Sequence, residues 1–125
     1  MSEYPNIADA EWLVMKVIWA HSECSANQII QELSGTTEWK PKTVKSLISR
    51  LLKKKAICFK EDKRAYIYYP LVTEEECIRV ESQSFLNRVF GGEVNTAIAK
   101  FIEDKNMSKQ QIDELRKMLD DKDER

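Results

Sequence analysis

One segment of 25 residues, Lys40 to Arg64, constrains this chain more than any other. It holds Lys40, Lys42, Lys45, Arg50, Lys53, Lys54, Lys55, Lys60, Lys63 and Arg64 against only Glu61 and Asp62, a local net of +8, in a chain whose formal net charge is −1. The charge is therefore placed, not spread. The first half of the segment has helical periodicity. Pro41 suits a first helical turn, and Val44, Leu47, Ile48, Leu51 and Leu52 recur as one apolar stripe to about Lys54. Opposite the stripe lie Lys42, Thr43, Lys45, Ser46, Ser49, Arg50 and Lys53, and no acidic residue occurs between Glu38 and Glu61. A solvated helix usually interleaves Glu with Lys for (i, i+4) pairs. A face without acids, lined by short hydroxyls and cations, suits close approach to a phosphate backbone and to base edges in a major groove.

Two strand-like segments follow, about Ile57–Lys60 and Ala65–Tyr69, joined by the charged turn Glu61-Asp62-Lys63-Arg64. Alternation puts Ile67 and Tyr69 on one side and Tyr66 and Tyr68 on the other, before Pro70 breaks the strand. Lys63 and Arg64 suit phosphate or minor-groove contact, and the tyrosines read as packing groups. Upstream, a helix from about Asp9, its expected N-cap, to His21 carries Ala10, Leu13, Val14, Val17 and Ile18 as a core stripe. Trp12, Met15 and Trp19 form a second apolar edge. A second helix opens with the S-x-x-Q capping box Ser25-Ala26-Asn27-Gln28 and continues through Ile29, Ile30 and Leu33 to Gly35. Three helices and a two-stranded ribbon, in that order, predict a winged helix-turn-helix.

Charge divides the molecule near Pro70: residues 1–72 are net +3 and residues 73–125 net −4. The expected organisation is a DNA-binding domain over 1–72 and a helical domain over 73–125, a mainly α chain (α+β) overall. Thr73-Glu74-Glu75-Glu76 caps a helix reaching about Phe90 before Gly91-Gly92. Val94, Ala97, Ile98, Phe101 and Ile102 mark a second helix. Ser108-Lys109-Gln110-Gln111 caps a third with Ile112, Leu115, Met118 and Leu119 on one side. Three helices in so few residues cannot close a core alone, and a second copy of the chain is the simplest cover. The side chains expected at that two-fold interface are Ile78, Phe85, Leu86, Val89, Val94, Ile98, Phe101, Ile102, Ile112, Leu115 and Leu119.

No apolar run reaches the roughly 20 residues of a membrane span, and Met1-Ser2-Glu3-Tyr4-Pro5 is not a signal peptide, so the expected compartment is the cytoplasm. Cys24, Cys58 and Cys77 lack C-x-C or C-x-x-C spacing, which argues against disulfides and against a metal site. All three read as small buried or half-buried thiols in a reducing compartment; the alternative is redox sensing, for which Cys58 beside the basic patch is the best placed. His21 is expected to be structural or solvent-facing. No Ser/His/Asp set, Gly-rich phosphate loop or carboxylate cluster is present, so neither an enzyme nor a cofactor is expected.

The run Ile7-Ala8-Asp9-Ala10-Glu11-Trp12-Leu13-Val14-Met15-Lys16-Val17-Ile18-Trp19, then Ser25-Ala26-Asn27 and Trp39 through Leu51, resembles the BlaI/MecI family of penicillinase and methicillin-resistance repressors. Ser84 through Gly92 and Gln111-Ile112-Asp113-Glu114-Leu115 are similar too. The resemblance implies a homodimer on a dyad-symmetric double-stranded DNA operator, repressing β-lactamase or related cell-wall-antibiotic resistance genes. It also implies a membrane sensor/protease pathway that relieves repression by cutting the dimerisation domain. Well-known members are cut at an Asn–Phe bond; the matching pair here is Lys100–Phe101, in which the asparagine is not kept. Copper-responsive members carry paired C-x-C motifs, absent here. Lys40 stands where members often have Ser, which removes an expected N-cap. The alternatives are a repressor of the same family answering to thiol redox or a small effector without cleavage, and a winged-helix protein-interaction module. The last would show an apolar or acidic face on its third helix.

Overall fold

The computed structural model describes residues 4–104 and 108–123, with the side chains of Leu119 and of residues 121–123 outside the description. The elements run α1 (Asp9–His21), β1 (Cys24–Ser25), α2 (Ala26–Leu33), α3 (Pro41–Lys53), β2 (Ile57–Asp62), β3 (Ala65–Pro70), α4 (Glu74–Phe90), α5 (Val94–Asp104) and α6 (Lys109–Asp123). They form two compact units, Met1–Ser82 and Gln83–Arg125, which meet inside α4.

In the first unit, α1 buries Val14, Met15, Val17 and Ile18 against Ile29 and Leu33 of α2 and Val44, Leu47, Ile48 and Leu51 of α3. The expected stripe on α1 is rotated: Leu13 is 42% exposed and Met15 fully buried. A helix apolar around so much of its girth does not specify which side faces the core, and packing selects it. Trp12 and Trp19 flank that side, 5.7 Å apart. Trp19 Nε1 donates to the Val72 carbonyl at 2.9 Å, and Lys16 pairs with Glu74 at 2.6 Å. These contacts hold the start of α4 on α1, where Cys77 enters the core.

Asp9 is the first helical residue of α1 and not its cap. Ala8 occupies the N-cap without a side-chain bond, and its N–H donates to Glu11 Oε1 at 2.9 Å. Glu11 is 1% exposed, the one buried charged residue among those described. Its Oε1 also accepts from Lys54 Nζ at 2.5 Å, and the same ammonium donates to the Asn6 carbonyl at 2.7 Å. Ser25 and Gln28 form the reciprocal box expected at α2, at 2.7 and 3.2 Å.

The sheet order is β1-β3-β2, all antiparallel. β1 was not expected, because two residues carry no period; Cys24 and Ser25 simply pair with Tyr68 and Ile67. The hairpin strands are longer than the sequence predicts. Glu61 and Asp62 belong to β2, Pro70 ends β3, and only Lys63 and Arg64 form the turn. Before β2, α3 closes in a Schellman arrangement: Ala56 N–H donates to Leu51 O at 3.0 Å and Lys55 N–H to Leu52 O at 3.1 Å. Lys55 takes the left-handed position, φ 63°, where glycine is usual.

In the second unit, the reciprocal Ser108/Gln111 bonds cap α6 at 2.9 and 3.1 Å. Gly91 and Gly92 turn the chain after α4 with φ of 59° and 84°. Phe85 and Phe90 meet edge-on at 5.9 Å, and Ala97 is the one buried apolar residue of this unit among those described.

Glu11 titration is the accessible test of how the first unit is held. Burial alone would raise the carboxyl; the Lys54 bond, the Ala8 N–H and the charges of Lys54 and Arg50 outweigh it, and its pKa falls below the ordinary 4.5. A depressed folded-state pKa stabilises fully above the unfolded value, and that stabilisation is lost as pH falls through the folded value. Glu11→Gln is therefore expected to cost about 1.5–3 kcal/mol near neutrality. The gap to the parent should close on acidification, read as Tm against pH for both proteins.

Candidate nucleic-acid interface

The outer face of α3 follows from its inner one. With Val44, Leu47, Ile48 and Leu51 buried, helical spacing leaves Lys42, Thr43, Lys45, Ser46, Ser49, Arg50 and Lys53 on the opposite side, and all seven are exposed. Trp39, packed against the core, and Thr37, whose hydroxyl donates to Leu33 O at 2.9 Å, steer the chain from α2 into α3. Lys40 sits at the N-cap with no side-chain bond and Pro41 follows at the first turn.

The electrostatics of that first turn are inverted. A helix N-terminus carries partial positive charge and favours acids, yet α3 has none there and instead carries Lys40 and Lys42 at its start. The last turn holds Arg50 and Lys53, which suit the negative end. The helix thus presents one continuous cationic surface, stable only at some cost unless an anion meets it. Lys63 and Arg64 are exposed at the wing tip.

Two cations of the basic segment are committed elsewhere. Lys54 points inward to Glu11 and Asn6, and Lys60 pairs with Glu23 at 2.8 Å. Sequence spacing hides both, since the partners lie 43 and 37 residues away. The available signal was Glu11 at the third helical position behind an alanine cap, a place from which a carboxylate reaches back to the cap amide. His21 likewise has an acidic neighbour in space: Nε2 lies 2.6 Å from Glu32 Oε2.

The thiols divide as well. Burial first and the Glu32 charge second push Cys24 up to about 11; burial and Glu76 raise Cys77. Both are protonated at neutral pH and poor nucleophiles. Cys58 is half-buried with its Sγ 3.9 Å from Phe59 O. Among the described residues no cluster of three His, Cys, Asp or Glu side chains could hold a metal ion, and no helix is long and apolar enough to cross a membrane.

Three helices, a three-stranded sheet and a hairpin wing, with a cationic outer face on the third helix, define the class as a winged-helix fold, and the relatives of this chain are DNA-binding transcriptional repressors, not enzymes. The family profile described as penicillinase repressor matches residues 7–121, and the chain belongs to that family. The penicillinase repressor of Bacillus licheniformis is 41% identical over 121 residues, covering 97% of this chain and 94% of that one. Methicillin resistance regulatory protein MecI of Staphylococcus aureus is 40% identical over 117 residues, covering 94% and 95%. Among solved structures, the DNA-binding domain of the repressor BlaI is 43% identical, with a TM-score of 0.54 over 61% of this chain and 93% of that one. The same values hold for the Bacillus licheniformis BlaI monomeric form in complex with the blaP half-operator.

The split between outward and inward cations is testable. Arg50→Ala and Lys45→Ala should weaken DNA binding by about 1–3 kcal/mol where the side chain reads a base. Where they touch phosphate, the log–log salt slope should flatten by about 0.9 per contact. Lys54→Met removes a charge bonded to Glu11 and Asn6, so it should lower Tm and, at temperatures where the chain stays folded, leave the slope unchanged. Titrations at several salt concentrations check all three.

Proposed function

We propose that this protein binds a dyad-symmetric double-stranded DNA operator as a homodimer, through the outer face of α3 and the wing. It is proposed to repress β-lactamase or related cell-wall-antibiotic resistance genes in the cytoplasm. The observation that carries the DNA reading is the acid-free face Lys42, Thr43, Lys45, Ser46, Ser49, Arg50 and Lys53, exposed on α3 while the other side of the helix packs in the core. The relative solved with its half-operator supports the same partner. An apolar or acidic face there would have suited a protein-interaction module, and neither is present.

Pairing is supported by what the helical part leaves uncovered. Ile78, Phe85, Val89, Val94, Phe101, Ile102 and Ile112 are exposed large hydrophobics; Leu86, Ile98 and Leu115 are half-buried, and the side chain of Leu119 lies outside the described residues. So many uncovered apolar groups in one chain mark an association surface, and a two-fold partner of the same sequence covers both copies at once. The functional division is proposed as 1–72 for DNA binding and 73–125 for dimerisation. Because Cys77 of α4 packs into the first core, a stable DNA-binding fragment should extend to Ser82. Sedimentation should show a dimer for the intact chain at micromolar concentration and a monomer for a 1–82 fragment. The fragment should lose most operator affinity, since dimerisation makes the second half-site contact intramolecular. A monomeric intact chain would rule out this arrangement.

Relief of repression is proposed to follow cleavage near Lys100–Phe101, set in motion by a membrane sensor/protease pathway. Both residues are exposed on α5, with Lys100 only 3.9 Å from Glu103 in a solvent-facing pair. Cutting there separates α6 from the rest of the interface and removes burial worth roughly 1.5–3 kcal/mol per large side chain. Lysine in place of asparagine makes the scissile bond the point to test. Cells exposed to a β-lactam should convert the 14.6 kDa chain into two fragments as transcription rises. Derepression with an intact chain would instead favour a thiol or small-effector signal.

A further inference from the structure

The tip of the wing combines an unfavourable backbone with a particular chemistry. Asp62 and Ala65 are register partners, so Lys63 and Arg64 alone span the hairpin, and their φ angles are 49° and 70°. Positive φ at both central residues is what a type I′ two-residue turn requires, and Asn-Gly meets that requirement with least strain. A lysine and an arginine each carry a Cβ that crowds the following carbonyl oxygen in this region. Turn chemistry alone therefore does not account for two cations at this point, and a strained position filled against local preference is a pointer to function.

Behind the turn, an aromatic row runs out from the core. Tyr68 is buried at its base. Phe59, its register partner, lies 6.3 Å from it and 4.5 Å from Tyr66, centroid to centroid. Phe59 and Tyr66 stay 41% and 49% exposed, so core burial is not their main role. Aromatic pairs across neighbouring strands stabilise a hairpin and fix its register. This pair sits diagonally across the ribbon, four residues before Lys63 and two after Arg64.

We propose that the Phe59–Tyr66 stack preorganises the wing tip, bracing the turn so that Lys63 and Arg64, assigned to DNA above, act together as a phosphodiester clamp. Phe59 is then a positioning residue, acting on DNA only through the turn. Ordering both cations before binding reduces the conformational entropy lost on association. The inference rests on the winged-helix DNA reading above and deepens it.

The test uses the intact chain with two probes: a duplex from the region upstream of its own coding sequence and a random-sequence duplex. Lys63→Asn combined with Arg64→Gly should raise Tm by about 4–8 °C, as relief of backbone strain in a small domain would. The same variant should bind both duplexes more weakly, with the salt slope flattened by about 0.9 for each contact removed. Phe59→Ala should weaken binding to both duplexes with an unchanged slope, because every charge is still present, and Phe59→Tyr should restore parental binding. Unchanged affinity and slope in the double variant would overturn the clamp, as would a Tm that fails to rise. Parental binding by Phe59→Ala would overturn the brace. Arg50→Ala, measured alongside, separates the two levels. If it weakens binding while the wing variants do not, only the clamp falls; if none has an effect, the DNA reading of α3 falls with it.

Discussion

A buried carboxylate must find partners or give up its charge, and Glu11 finds three. It accepts from the Ala8 amide and from Lys54, and its field is joined by that of Arg50. Lys54 is the C-cap residue of α3 and also holds the Asn6 carbonyl. One ion pair therefore fastens the segment before α1, the first turn of α1 and the last turn of α3 at a single point. Breaking such a pair leaves an uncompensated buried charge, a larger penalty than the pair's own net contribution. The pair adds a fixed point between α1 and α3 to the packing of Val44, Leu47, Ile48 and Leu51, and together they leave the cations of α3 facing outward.

The rest of the basic segment shows stability and charge set against each other. Lys40 and Lys42 lie at the positive end of a helix dipole, and Lys55, Lys63 and Arg64 occupy left-handed backbone positions. Acids at the former and glycine or asparagine at the latter would be more stable by elementary rules. Sites that break local rules without local compensation are where function is expected. Here every break adds or retains positive charge, in a segment that includes the exposed face of α3 and the tip of the wing.

The second unit is thin in a different way. Ala97 is its one buried apolar residue among those described, while Val89, Val94, Phe101 and Ile102 stand exposed on α4 and α5. The helices are well capped, by Ser108 and Gln111 at α6, and α4 is opened by the Thr73 hydroxyl accepting from Glu76 N–H at 3.2 Å. Local signals suffice to form such helices, but helical stability in proteins comes mostly from packing an apolar face. That imbalance is the physical basis for the proposed pairing of two chains.

The sequence by itself determined the periodic features: the α3 stripe and its opposite face, the capping boxes at Ser25 and Ser108, the α4–α6 helices and the winged-helix order. Each is written in neighbouring residues at spacings of two or 3.6, and so is legible without coordinates. It did not determine which side of α1 faces inward, since Leu13 and Met15 are equally apolar and only the fit against α2 and α3 places Met15 inside. Nor did it show β1, too short to have a period, or the two-residue turn, because Glu61 and Asp62 look like loop residues until β3 pairs with them. The sharpest difference lies among the lysines. Lys53, Lys54 and Lys55 are identical in sequence terms, yet one faces outward on α3, one is bonded to a carboxylate 43 residues away, and one turns the chain at positive φ. Long-range pairing and backbone conformation assign those three roles, and both exist only once the chain has folded.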